Sequence, residues 1–315
     1  MRPFILLLIA CAAAQAQPGP QIKDVKVRIL STMLADEGIG EWGFAAVVEA
    51  DGRRILFDTG ARPETVLRNA QEMGVDLASI TDVILSHNHG DHTGGLLTLR
   101  RELRAKNANA LSRAHVGKGI FLSRAGADGA EHNYLRKVKA DYEALGGTFI
   151  EYAEGRQLFP GAWFTGPVKR TYPEKNWSTR HPVHHEDGTR GEDNLPEDSS
   201  LVLDTGRGLV IIAGCGHAGI INTLEQARRQ VRNAPVHAAI GGFHLFNATD
   251  QHLEWTAGKL KEMGLENFLG SHCTGIEAVY KVRQLLGLAR RNCAVGAVGG
   301  GFTLSEGLKP GAISR

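Results

Sequence analysis

The chain has 315 residues, 42% of them hydrophobic and 22% charged, with a formal net charge of +2. That length is long for one average domain and short for three, and a single large α/β domain fits it. The near-neutral balance provides no field that would draw nucleic acid, so a nucleic-acid partner is excluded.

The first segment reads as a targeting signal. Arg2 supplies a positive charge, Phe4 to Ala13 carry none, and Ala14-Gln15-Ala16 forms a small-x-small cleavage site. The run is too short to span a bilayer as a mature helix. The expectation is a signal peptide over residues 1–16 and a periplasmic or secreted protein. In the alternative, Leu8-Ile9-Ala10-Cys11 is a lipoprotein box. Cys11 would then be lipidated and the protein lipid-anchored at the membrane. No other stretch is apolar enough to cross a membrane, so no stable insertion is expected unless Cys11 is lipidated.

The domain itself is expected over residues 22–315. It opens with strand-like runs at Val25-Met33, Phe44-Ala50 and Arg54-Phe57, rich in Val, Ile and Phe. Asp51-Gly52 between the last two is a hairpin turn signal. A helix is predicted next, with Pro63 near its start and Gly74 past its end. Its apolar positions Val66, Leu67, Ala70 and Met73 fall at helical spacing. Asp82-Val83-Ile84-Leu85 then reads as a short buried strand. It leads directly into His87-Asn88-His89-Gly90-Asp91-His92.

The second half alternates strand and helix. Ser200-Asp204 and Leu209-Ala213 read as paired strands joined by Thr205-Gly206-Arg207-Gly208. A helix is predicted from Asn222 to about Arg232, a strand at Val236-Ile240, and a helix near Gln251-Met263. A strand at Phe268-Leu269 and a helix near Ile276-Leu286 complete the series. This alternation is α/β. Lys169 to Glu197 stands apart: it is polar, nearly free of aliphatics, and holds Trp177, His181, His184 and His185. It is read as a structureless loop insertion that covers substrate, with a plain surface insertion as the alternative.

Three histidines and an aspartate within six residues carry the chemistry. Alternate histidines in a tight loop after a buried strand, His87 and His89, can converge on one metal ion through neutral imidazoles. Asp91 and His92, offset in register, can hold a second ion. A two-metal site lowers the pKa of a bridging water and clamps an oxyanion. Beyond Cys11, the cysteines Cys215, Cys273 and Cys293 are odd in number, and two of them stand beside histidines in glycine-rich loops. They are not read as a disulfide framework and leave room for one bridge at most. His115, His132, His237 and His252 lie in helix or strand contexts without clustered partners and are read as structural. Lys169 and Arg170 could meet a phosphate or carboxylate.

Ser86-His87-Asn88-His89-Gly90-Asp91-His92-Thr93-Gly94-Gly95 resembles the signature of the metallo-β-lactamase superfamily, and Leu56-Phe57-Asp58-Thr59-Gly60 resembles its second landmark. The resemblance covers nearly the whole mature chain. It implies an αββα sandwich of two mixed β-sheets with helices on the outer faces and metals at one edge. It gives Asp58 the role of orienting a metal ligand from beneath the loop. Leu209-Val210-Ile211-Ile212-Ala213-Gly214 ends in Cys215, where the family usually has a bridging aspartate. Cys215 is therefore either a thiolate ligand or a buried structural thiol. By the same resemblance, His217 and His272 (in Ser271-His272-Cys273-Thr274-Gly275) are metal ligands. Gly214-Cys215-Gly216-His217, Gly241-Gly242-Phe243-His244-Leu245 and His272-Cys273-Thr274-Gly275 together resemble a narrower branch, the dihydropterin ribofuranosylaminobenzene phosphate synthase type. Phe164 to Arg170 resembles that branch too. In it, His244 is a ligand, a substrate contact or a general acid.

The expected function is an exported metal-dependent hydrolase of a small-molecule ester, phosphoester or amide. A metal-bound hydroxide would be held between His87, His89, His217 and Asp91, His92, His272, with Asp91 and His244 as the catalytic side chains. No Gly-x-Ser-x-Gly nucleophile elbow is present. Two divalent ions are expected, with zinc first and manganese or iron as alternatives. The competing readings are a synthase-like transferase acting on a phosphorylated sugar, a non-catalytic metal-binding protein, and a mononuclear-iron dioxygenase. An export segment would separate the protein from cytoplasmic pterin synthesis, which favours the hydrolase.

Overall fold

The structure is a computed structural model, described here for residues 19–176 and 181–314. The expected signal segment with Cys11, and Trp177 of the polar stretch, lie outside the described residues.

Six strands build the first half: β1 (Val25–Ser31), β2 (Ala45–Ala50), β3 (Arg53–Phe57), β4 (Asp82–Leu85), β5 (Arg113–Gly117) and β6 (Thr148–Tyr152). β1, β2 and β3 form an antiparallel meander, and β3 to β6 run parallel. The turn between β2 and β3 places Asp51 at φ 48° and Gly52 at φ 78°, the two left-handed residues a tight hairpin requires. The parallel steps need crossovers, and helices supply them. These are α1 (Thr65–Glu72), then α2 (Gly90–Thr93) with α3 (Leu96–Arg104), then α4 (Leu135–Ala144).

The second half repeats the plan with β7 (Arg156–Phe159), β8 (Ala162–Phe164), a small hairpin of β9 (Pro182–His184) and β10 (Arg190–Glu192), β11 (Ser200–Thr205) and β12 (Gly208–Ala213). Helix α5 (Ile220–Gln230) leads to β13 (Val236–Gly241). Helix α6 (Asp250–Glu262) leads to β14 (Asn267–Gly270), and α7 (Ile276–Leu286) to β15 (Cys293–Val295). β16 (Gly301–Thr303) and β17 (Gly307–Lys309) return to the first sheet, where β16 pairs with β1. The result is an eight-stranded sheet ordered β17-β16-β1-β2-β3-β4-β5-β6 and a seven-stranded sheet ordered β15-β14-β13-β12-β11-β8-β7.

Three apolar layers hold these parts together. Between the sheets, Val27, Phe57, Ile84, Leu203, Ile212 and Ile240 belong to one buried cluster. On the outer side of the first sheet, Leu56, Val83 and Leu85 pack with Val66 of α1, Leu99 of α3 and Tyr142 of α4. On the outer side of the second, Ile211 and Ala239 pack with Leu224 of α5, Leu260 of α6 and Val282 of α7. Strands buried on both faces need apolar residues at every position, which is why β4 and β12 read as continuous runs rather than alternating ones. The architecture is the expected αββα sandwich. Among the described residues, no helix is long and apolar enough to cross a membrane.

Two expectations are corrected. Helix α5 begins at Ile220, two residues before Asn222. Gly219 turns the chain at φ 100°, and the Glu174 carboxylate accepts the first N–H groups, those of Ile221 and Asn222, at 3.2 and 2.8 Å. That cap comes from 47 positions upstream. The polar stretch 169–197 is not structureless. It contains the β9–β10 hairpin, and Glu174, Val183, Asp193, Leu195 and Glu197 are all buried. Glu174, Asp193 and Glu197 are withdrawn from water because they support the loops described next, whereas Lys175, Glu186, Asp187, Arg190 and Glu192 remain exposed.

Candidate metal centre

The carboxyl ends of β4, β12, β13 and β14 meet at one edge of the sandwich, and each delivers a loop carrying histidine. β4 ends at Leu85 and is followed by His87, His89, Asp91 and His92. β12 ends at Ala213 and is followed by Cys215 and His217. β13 ends at Gly241 and is followed by His244, and β14 ends at Gly270 and is followed by His272 and Cys273.

Asp58, at the end of β3, underlies this assembly. It is fully buried and adopts φ 54°. Its carboxylate accepts hydrogen bonds from the Ser86 amide and hydroxyl, both at 2.8 Å, and from His92 Nδ1 at 2.7 Å. These bonds settle two imidazole tautomers. A carboxylate only accepts, so His92 carries its proton on Nδ1. The Ser86 hydroxyl spends its one proton on Asp58, so its 2.8 Å contact with His87 Nδ1 must be donated by the imidazole. Both rings thus turn Nε2 towards the centre. Gly214 permits this closeness, because a Cβ there would stand 2.1 Å from Ser86 Oγ and 2.5 Å from Asp58 Oδ2.

The ligand atoms fall into overlapping groups whose members lie within 4.8 Å of one another. One group is His87, His89 and His217, and another is Asp91, His92 and His272. Cys215 joins the two, standing with His87 and His92 in a third group and with His217 and His244 in a fourth. Its Sγ lies 3.1 Å from His92 Nε2, which in turn is 3.3 Å from His272 Nε2. Asp91 Oδ2 is 3.3 Å from the same His272 nitrogen. The sequence-derived site residues His87, His89, Asp91, His92, Cys215, His217, His244 and His272 are all brought together here. Asp58 sits beneath them, bonded to Ser86 and His92.

Electrostatics favour a bound cation. Burial, then repulsion from neighbouring histidines, drives the pKa of His87 and of His217 well below the ordinary imidazole value, so both offer lone pairs. Burial, only partly offset by Asp91, brings His89 down to about 4. Burial also opposes charge on His92, yet the Asp58 and Asp91 carboxylates outweigh it and lift its pKa to about 9. Carboxylates that attract a proton to a buried imidazole attract a metal cation in its place. Two further observations fit a metal. His87 Nε2 is buried with no hydrogen-bond partner among the described residues. His244 and His272 hold left-handed backbone, φ 46° and 48°, a conformation that side chains other than glycine adopt at a cost and that clusters at functional sites.

Arg124, Asp193, Glu197 and Asp198 support the site without having given a sequence signal. Arg124 is buried and donates Nε to Asp193 Oδ2 at 2.6 Å and Nη2 to both Glu197 oxygens at 3.0 and 3.1 Å. Glu197 Oε1 then accepts the Asn88 amide of the metal loop at 3.2 Å. Asp198 accepts the Ala218 amide at 2.8 Å, and Arg170 donates to the carbonyls of Asn194 and His217. Arg170 is therefore tied to backbone rather than presented to a phosphate. At the rim, Trp42 is half exposed, its ring 4.8 Å from that of His272 and 5.7 Å from that of Phe246. No histidine of the polar stretch joins a ligand group among the described residues. His184 Nε2 pairs with the Ala125 carbonyl at 3.0 Å, and His181 stacks on His132 at 3.7 Å. His115, expected to lack clustered partners, bonds to Asp82 at 2.8 Å and Tyr152 at 2.9 Å, far from the centre at the amino end of β4.

Comparison with known proteins agrees with this geometry. Residues 43–231 match the family model of the metallo-beta-lactamase superfamily. The chain is 30% identical over 275 residues to 7,8-dihydropterin-6-methyl-4-(beta-D-ribofuranosyl)-aminobenzene-5'-phosphate synthase of Methanocaldococcus jannaschii, covering 82% of this chain and 90% of that protein. Among solved structures, it resembles a metal-dependent hydrolase of the beta-lactamase superfamily with TM-score 0.68 and 26% identity, covering 89% of this chain and 98% of the other. The metallo-beta-lactamase fold protein YhfI from Bacillus subtilis shares the fold with TM-score 0.52 at 12% identity, over 89% and 98% of the two chains.

Proposed function

The chain belongs to the metallo-beta-lactamase superfamily, and from that premise we propose that it is a metal-dependent hydrolase of a small-molecule ester, phosphoester or amide. The observation that carries this reading is the convergence of His87, His89 and His217 beside Asp91, His92 and His272, with two tautomers set by Asp58 and Ser86. His87, His89 and His217 would hold one divalent ion, and Asp91, His92 and His272 the other, with Cys215 between them. Zinc suits this nitrogen-rich set best. When bound, the ions would supply Lewis acidity and a more acidic water.

The remaining steps fall to the chain's own groups. Asp91 has the partly exposed carboxylate of the cluster; burial works to raise its pKa, but His92 and His272 beside it hold it ionised well below the usual carboxylate range, so it can accept a hydrogen bond from the attacking water and orient it. His244 stands at the rim, its ring 4.6 Å from that of His217 and 5.1 Å from that of Phe246, placed to donate a proton to a leaving group. Trp42 and Phe246 offer an apolar edge against which the substrate can lie. Elemental analysis of protein purified without added metal should find about two ions per chain, most of them zinc. An ester and phosphoester panel should then identify turnover that His87→Ala abolishes. Full metal content and full activity in His87→Ala would overturn the reading.

A second reading rests on the methanogen relative, which carries the name of a synthase. In it, the same centre would bind a (ribofuranosyl)aminobenzene phosphate, whose amine nitrogen would displace a leaving group such as a diphosphate from the methyl carbon of an activated dihydropterin and give up its proton. Condensation of those two substrates, with no hydrolysis of the panel, would decide for it. The N-terminal segment supports export before either reaction, and recovery of the chain in a periplasmic or secreted fraction tests that.

A further inference from the structure

We propose that Cys273 is itself a metal ligand, and that with Cys215 and His272 it makes a thiolate-bearing position selective for a thiophilic ion such as zinc over manganese. The proposal rests on the reading that this centre holds metal.

Among the described residues, Cys215, Cys273 and Cys293 are all buried and free of disulfides. Cys293 lies in the apolar cluster beneath α7, its Sγ 3.7 Å from the Val279 carbonyl, as an ordinary buried thiol does. Cys215 and Cys273 belong to none of the apolar clusters. They face each other with Sγ atoms 3.1 Å apart, beyond the ~2.05 Å of a disulfide bond. Their ligand atoms and that of His272 all lie within 4.8 Å of one another.

The distances suit shared coordination. Zinc–sulfur bonds of ~2.3 Å and zinc–nitrogen bonds of ~2.0 Å at tetrahedral angles put ligand atoms roughly 3.3–3.8 Å apart. The observed separations, 3.1 Å from Cys215 Sγ to Cys273 Sγ and 3.1 Å from Cys215 Sγ to His92 Nε2, would open by about 0.7 Å and about 0.4 Å, changes that side-chain rotation can supply. The fold also reserves room for the second sulfur. A Cβ on Gly242 would stand 2.9 Å from Cys273 Sγ and 2.0 Å from the Gly214 carbonyl, so the β13 loop can approach the thiol only as glycine. His272 reaches the group through a left-handed backbone that also turns the next residue, Cys273, back towards Cys215. Two thiolates favour a soft or borderline ion, whereas manganese prefers carboxylate and water.

Cobalt(II) reconstitution of the metal-free full-length chain tests this by absorption spectroscopy. The wild type should show visible cobalt bands together with a near-ultraviolet sulfur-to-cobalt charge-transfer band. Cys273→Ser should weaken that band, Cys215→Ser with Cys273→Ser should abolish it, and Cys293→Ser should leave it intact. An unchanged band in Cys273→Ser would overturn the proposal. Visible bands with no charge-transfer band in the wild type would overturn it while leaving the metal reading standing. No cobalt uptake at all would defeat both. X-ray absorption of zinc-loaded wild type needs no variant. Sulfur neighbours at ~2.3 Å are expected, and a shell of nitrogen and oxygen alone would refute the thiolate position.

Discussion

The carboxylate of Asp58 lies 2.7 Å from Nδ1 of His92, two fully buried groups brought together from 34 positions apart. Because Asp58 also takes both donors of Ser86, a single side chain sets the protonation of His92 directly and of His87 through the serine hydroxyl. Asp58→Asn should therefore do more than delete one bond, since an amide can donate into the same positions and favour the wrong tautomers. A loss of metal affinity of about 10–100-fold is expected, measured by competition with a chelator of known affinity. An affinity within twofold of wild type would show that Asp58 does not orient the ligands.

Removal of metal should lower the thermal midpoint, because ions that bind only the folded chain stabilise it by mass action. Adding zinc back should raise the midpoint progressively with concentration. His87→Ala should flatten that dependence. A midpoint indifferent to zinc in the wild type would count against ligation by the folded chain.

Arg124 is the one cation found against the buried carboxylates Asp193 and Glu197 among the described residues. Arg124→Met should cost about 3–5 kcal/mol in urea unfolding, because it strands two buried acids. Adding Asp193→Asn and Glu197→Gln to the same chain should recover part of the loss. The single substitution should also weaken metal binding, since Glu197 holds the Asn88 amide of the metal loop.

Burial pushes the Glu174 carboxyl up to about 7 from its ordinary 4.5, despite the two backbone N–H groups it accepts. Between those values the folded chain keeps a proton that the unfolded chain has released. Stability from this group is therefore greatest at low pH and declines as pH rises from about 4.5 to about 7. Glu174→Gln should remove that decline, worth on the order of 1 kcal/mol per pH unit. Parallel stability–pH curves for the two proteins would refute the shift.

Trp42 stands beside His272 and Phe246 at the mouth of the centre. Trp42→Ala should raise KM for aryl substrates by roughly tenfold, as expected for the loss of one aromatic contact, while leaving metal content unchanged. An equal change for aryl and small alkyl substrates would assign Trp42 to packing instead.

The sequence by itself determined the parts whose cause is local. An apolar strand followed by His-x-His-x-Asp-His could be read directly, because a buried strand ends abruptly and places its next residues at a sheet edge. Asp51-Gly52, and the helix ending before Gly74, were legible because left-handed backbone selects glycine and its few substitutes. The alternation of strands and helices announced the sandwich for the same reason: each element carries its own periodicity.

Only the tertiary structure decided what depends on distant partners. Glu174 capping α5, Arg124 joining Asp193 to Glu197, and Cys273 meeting Cys215 across 58 positions leave no periodic trace, because each contact is made by a single side chain at the end of a different element. The polar stretch looked like solvated chain for that reason. Its buried acids Asp193 and Glu197 are opposed by Arg124, far away in sequence, and burial of a charge becomes visible only when its counter-charge is in place.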